Sequence, residues 1–146
     1  RHAARMRYDR AVAKKLRSIL VPVDGSPPAK RAAALAASVA DGTEAVVTLL
    51  YVDVPEAKPK AKATRDRAAL DTFKEATKAF GRGAIEARLV TRSGEPGETI
   101  LELAAELEPD LIIIGRRGVG RVRALVLGSV SEHVLANAPC PVTIVK

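Results

Sequence analysis

Between Gly115 and Val130 the chain carries a set of residues suited to holding an anion. Gly115, Gly118 and Gly120 fall within six residues, which lets backbone amides approach a charged group closely. Arg116, Arg117, Arg121 and Arg123 add four positive charges with no acid among them. Gly128-Ser129 then opens a helix, whose first N–H groups lack intrahelical partners and carry the positive end of its dipole. Together these fit a polyphosphate. The same residues could also form a tight strand-to-loop turn with Ser129 and Glu132 as a capping box. Two other glycine motifs are excluded. No Gly-Lys-Ser/Thr occurs anywhere, and Arg123 stands where the third glycine of a dinucleotide fingerprint would follow Gly118-Val119-Gly120.

The segments that must position this loop alternate between strand and helix. Ile19 to Val23 is a short β-branched run ending at Asp24-Gly25-Ser26, and Ser26-Pro27 reads as an N-cap followed by proline at the first helical position. The helix beyond it presents Ala32, Leu35, Ala36, Val39 and Ala40 on one face, and Asp41-Gly42 is expected to stop it. Ala45 to Val52 is a second strand. A lysine-rich connection leads to a helix over 64–80 with Ala69, Phe73, Ala76 and Phe80 inward, then to a third strand, Ile85 to Val90. A helix over 98–107 turns Ile100, Leu103, Ala104 and Leu107 inward. Asp110 to Gly115 is a fourth strand, whose unbroken apolar run implies burial on both faces. Ser129 to Asn137 is the last helix and Pro141 to Val145 the fifth strand.

This alternation implies a single-domain α/β architecture, an open five-stranded parallel sheet doubly wound with helices on both faces. Such sheets bind ligands beyond the carboxyl ends of their strands, where the strand order reverses. Asp24-Gly25-Ser26 and the loop from Gly115 occupy such ends.

The spacing Gly115, two residues, Gly118, nine residues, Gly128-Ser129 resembles the nucleotide-binding signature of the universal stress protein family. Ile19 to Ser26 resembles that family's first strand and turn, and Leu49-Leu50-Tyr51-Val52 its second strand. Gly94-Glu95-Pro96 followed by Ile100 resembles the start of its third helix, and Pro139-Cys140-Pro141-Val142 the approach to its last strand. The resemblance implies an adenine nucleotide alpha hydrolase-like fold with strand order 3-2-1-4-5. It also implies a stress-response regulatory module that binds ATP as a homodimer through the C-terminal strand, 141–146. By position, Asp24 would meet the adenine and ribose region, the Val52 backbone the adenine edge, and Pro22 and Ile114 the base. Gly115 would lie near the ribose, and Gly118, Gly128, Ser129 and Val130 would hold the phosphates. Arg116 and Arg117 depart from the smaller residues of many relatives and strengthen the anion site. Alternative ligands are AMP, cyclic AMP or cyclic di-AMP, and a weak ATPase is the alternative activity. Mg2+ follows only from the triphosphate, because no ligand side chain can be named for it.

The rest of the chain narrows the function classes. Residues 1–17 hold seven basic side chains and one acidic, so this segment carries nearly all of the net charge of +7. A basic arm, 1–16, therefore precedes a nearly neutral nucleotide-binding domain, 17–146. The arm's composition suits a native tail, a tag remnant or a linker of a longer chain, and only two Tyr and two Phe argue against base stacking on nucleic acid. The single cysteine, Cys140, excludes an intramolecular disulfide framework and points to the cytoplasm. No apolar run is long enough for a membrane span. His133 reads as a surface or capping residue with no catalytic spacing around it, and Glu98, Glu102 and Glu106 as a solvated helix face. The fifth strand leaves an apolar edge that a second copy would cover. Charged or proline substitutions at Thr143 and Val145 are expected to disrupt that pairing.

Overall fold

The computed structural model describes residues 15–81, 86–116 and 127–146. Its strands are β1 (Ser18–Pro22), β2 (Val46–Asp53), β3 (Ala87–Ser93), β4 (Leu111–Gly115) and β5 (Val142–Val145). Its helices are α1 (Pro27–Thr43), α2 (Lys62–Thr77, extended by a 3-10 turn at Lys78–Phe80), α3 (Pro96–Leu107) and α4 (Ser129–Asn137). All strand pairs are parallel and the order is β3-β2-β1-β4-β5, as expected. Ser18 opposes Val46 and Pro22 opposes Leu50, so β2 runs past the end of β1.

Two apolar clusters lie on the two faces of the sheet. One joins Ile19, Val21, Val47, Leu49 and Ile113 to α1 and α2. The other joins Leu20, Leu50, Ile112 and Ile114 to Ile100, Leu103 and Ala104 of α3 and Val134 of α4. The face that α1 buries is made of alanine: Ala29, Ala32, Ala33, Ala36, Ala37 and Ala40. Each buried methyl stabilises by only about 0.8 kcal/mol, but the small side chains let the helix approach the sheet closely. Leu35, expected inward, is therefore left exposed at the helix margin, and Leu107 is exposed at the end of α3.

Helix boundaries follow local chemistry. Ser26 caps α1 by accepting the Ala29 N–H, with Pro27 next to it in the first turn. Asp41-Gly42 does not stop this helix. Glu44 takes the left-handed conformation (φ 60°) and donates its N–H to the Ala40 carbonyl, while Thr43 Oγ1 donates to the Val39 carbonyl. Glu108 ends α3 in the same way.

The main-chain direction of β5 corrects one expectation. The Ile112 N–H donates to the Pro141 carbonyl and the Arg116 N–H to the Val145 carbonyl. Main-chain groups alternate along a strand, so Thr143 and Val145 bond inward to β4 and Val142 and Ile144 face the open edge. Proline at Thr143 or Val145 would break the sheet itself. Val142 and Ile144 are the edge positions.

Candidate functional site

The strand order reverses between β1 and β4, since β2 and β3 lie to one side and β5 to the other. A cavity of about 560 Å3 opens at that reversal, within the range of small-molecule sites. Its lining comes from segments far apart in sequence: Pro22, Val23 and Asp24 at and beyond the end of β1, Leu50, Val52 and Val54 at and beyond the end of β2, Ile114 and Gly115 at the end of β4, and 127–131 around the start of α4. Ser26, which caps α1, Ala29 of α1, and Pro96 and Ile100 of α3 are the other described lining residues.

Of the residues singled out in the sequence, Pro22, Asp24, Val52, Ile114, Gly115, Gly128, Ser129 and Val130 all line this cavity. Arg116 is half-buried and does not line it. Arg117 and Gly118 lie outside the described residues, as does the basic arm through residue 14. Lining residues that sequence reasoning did not assign to a site are Val23, Ser26, Ala29, Leu50, Val54, Pro96, Ile100, Leu127 and Ser131.

Each wall has a local cause. Asp24 Oδ1 accepts the Ser26 N–H at 2.9 Å, so one carboxylate oxygen holds the turn that Gly25, at φ +83°, makes possible. Gly115 is needed for space. A Cβ there would come within 2.8 Å of Ala29 N and Pro28 C, so the glycine lets β4 pass against the first turn of α1. The Leu50 carbonyl accepts the Val23 N–H, while the Asp53 carbonyl accepts the Gly94 N–H on the opposite side of β2. By alternation the Val52 N–H and C=O point toward the β1 side, beyond the last β1 pair, Pro22 with Leu50.

Three helix N-termini meet this rim, and two carry side-chain caps. Ser26 caps α1, and the Glu95 carboxylate caps α3 by accepting the Gly97 N–H at 3.0 Å and the Glu98 N–H at 2.8 Å. Those backbone donors, Glu98 first, hold the Glu95 carboxyl below its ordinary range. The cap of α4 is Gly128, which has no side chain to offer. The alternative Ser129–Glu132 capping box is not formed, because Ser129 is itself the first helical residue. Asp24 is the one ionisable side chain among the described lining residues. Apolar walls with main-chain donors and acceptors at the margins suit a flat heterocycle carrying a polar tail.

The sequence profile of the universal stress protein family matches residues 15–146. The chain belongs to this family. A universal stress protein of Thermus aquaticus is 39% identical over 137 residues, covering 89% of this chain and 98% of the relative. Among solved structures, a universal stress protein from Archaeoglobus fulgidus is 25% identical, with a TM-score of 0.73 over 95% of this chain and 98% of that one. Another from that organism, solved in complex with dAMP, is 26% identical, with a TM-score of 0.68 over 91% of this chain and all of its own.

Side chains outside the cavity have structural partners. His133 Nε2 donates to Glu98 Oε1 at 2.7 Å and so ties α4 to α3. Glu106 pairs with Arg92 from β3. In the lysine-rich connection and α2, Lys60 pairs with Glu56, Lys62 with Asp66, Arg67 with Asp71, and Arg65 with Asp53. Burial is the main cause that raises the Cys140 thiol pKa, which disfavours the reactive thiolate. Among the described residues no group of three or more His, Cys, Asp or Glu could hold a metal ion, and no helix is long and apolar enough to cross a membrane.

Proposed function

We propose that this chain is a cytoplasmic adenine-nucleotide-binding regulatory module that takes ATP in the cavity between β1 and β4. The observation that carries this reading is convergence. Residues named from four separated stretches of sequence line one cavity, at the strand reversal where ligands of such sheets bind. The dAMP complex of the Archaeoglobus fulgidus relative supports the adenine part.

In this reading the base lies between Pro22, Ile114 and Val52, and the Val52 N–H and C=O meet its hydrogen-bonding edge. Asp24 receives the ribose. The phosphates lie at the uncapped start of α4, held by Gly118, Gly128, Ser129 and Val130, with Gly115 near the ribose and Arg116 and Arg117 adding positive charge. Mg2+ would accompany the triphosphate through phosphate oxygens and water, since the described lining residues offer it Asp24 alone. The module acts through occupancy in a stress response, and any hydrolysis is slow. Stripping purified protein by denaturation and identifying the released compound by mass spectrometry tests the ligand. ATP is the expected product, AMP or cyclic AMP would change the signal, and no nucleotide on the protein or in re-binding would remove the reading.

We further infer a homodimer through 141–146. β5 is the sheet's outer strand, with all four residues only half-buried and the main chain of Val142 and Ile144 facing outward. Light scattering should find a dimer for wild type and a monomer for Val142→Pro, which spares the bonds to β4. A Val142→Pro dimer as tight as wild type would place the interface elsewhere.

A further inference from the structure

We propose that Ser131 is a positioning residue for the nucleotide site, holding the first turn of α4 against the end of β4 so that its open N–H groups face the cavity. This rests on the reading of that cavity as a nucleotide site and assigns a role to a side chain that the glycine-serine spacing does not include.

Ser131 is 2% exposed in a nine-residue helix whose other buried residue is Val134. So short a helix has little apolar area to hold it in place. Its hydroxyl lies 2.7 Å from the Arg116 carbonyl, fifteen residues away, and 3.0 Å from the Gly128 carbonyl, one turn back. A serine inside a helix commonly bonds back to its own previous turn. Here the shorter contact leaves the helix and reaches the end of β4.

The Arg116 carbonyl also accepts the Gly128 N–H at 2.8 Å, and the Arg116 N–H donates to the Val145 carbonyl of β5. One residue thus anchors the helix start to the central sheet. The clasp has a directional consequence. Gly128 supplies no capping side chain, so the N–H groups of the first turn stay open to a ligand, and where they point depends on how the turn is fastened. The apolar pocket for the base is walled by Pro22, Leu50 and Ile114, all outside α4. Loosening the clasp should therefore weaken the hold on phosphate and spare the hold on the nucleoside.

The test is titration calorimetry with adenosine and with ATP on wild type, Ser131→Ala and Ser131→Thr. The quantity read is the ratio of ATP to adenosine affinity, which a general loosening of the fold leaves unchanged. Ser131→Ala should lower this ratio about five- to tenfold, the worth of one hydrogen bond. Ser131→Thr, which keeps the hydroxyl, should hold the wild-type ratio whatever either variant does to the melting temperature. An unchanged ratio in Ser131→Ala, or the same fall in Ser131→Thr, would overturn the assignment. Wild-type protein that binds neither compound would remove the nucleotide reading first and this inference with it.

Discussion

The N-termini of α3 and α4 flank the same cavity and carry the same dipole, yet their first-turn amides are treated differently. On α3, Glu95 supplies a carboxylate that accepts two of the N–H groups, so the helix is satisfied from within the chain. On α4, Gly128 supplies nothing, and its backbone does not need glycine, since φ −65° and ψ 153° are open to any residue. Its dihedral angles would admit a capping residue, and glycine stands there instead. The contrast separates a helix start closed by its own chain from one without a side-chain cap, the start proposed to hold phosphate, and each half can be broken by itself.

The largest effect should come from closing the open end. Gly128→Asp gives α4 the carboxylate cap that α3 has. It should hold or raise the melting temperature while lowering ATP affinity by about a hundredfold or more, because the new charge would stand where phosphate is proposed to bind. Calorimetry and thermal unfolding of the same sample check both halves, and unchanged ATP affinity would mean that the α4 start does not hold phosphate. Next is the wall shared with α1. Gly115→Ala pushes a methyl into backbone atoms of Pro28 and Ala29 and should cost about 1–3 kcal/mol in a urea titration. A neutral result would show that α1 can retreat from β4.

The smallest effect belongs to α3. Glu95→Ala should cost about 1 kcal/mol of stability and leave ATP affinity within about twofold. The pH dependence has a definite sign. Glu95 is held below its ordinary value, so its contribution is fully present above the unfolded-state value, near 4.5, and is lost as pH falls through the lower folded value. The stability gap between wild type and Glu95→Gln, read from urea midpoints, should therefore be constant at neutral pH and narrow below about pH 4.5. A gap that widens on acidification would contradict the capping role, and an ATP affinity that falls with the cap would erase the distinction between the two helices.

Much of this arrangement could be read from residue types alone, for identifiable reasons. The strands stand out as β-branched runs bounded by Gly, Pro and Asp, and the order of elements restricts how parallel strands can be wound. Asp24 and Gly115 could be named because one follows the first strand and the other ends the fourth, whereas Val52 was named by resemblance to the family. Other features left no trace in residue type. Leu35 and Leu107 follow the helical period, but periodicity does not say how far the sheet extends beneath a helix. Glu44 ends α1 because it adopts a backbone conformation usually given to glycine. The part of Ser131 was hidden because its partner is a main-chain carbonyl fifteen residues away, and carbonyls look alike in every sequence. The outward-facing positions of β5 depend on register with β4, so Val142 and Ile144 had to be located in space.

In the proposed function the cavity between β1 and β4 binds an adenine nucleotide with its phosphates on the open start of α4. The most direct measurement is titration calorimetry of nucleotide-stripped protein with ATP, run in parallel on wild type and Gly128→Asp. Wild type should show saturable one-site binding, and Gly128→Asp should lose it while remaining fully folded. Equal binding by both proteins would contradict the placement of the phosphates, and no binding by wild type would contradict the claim itself.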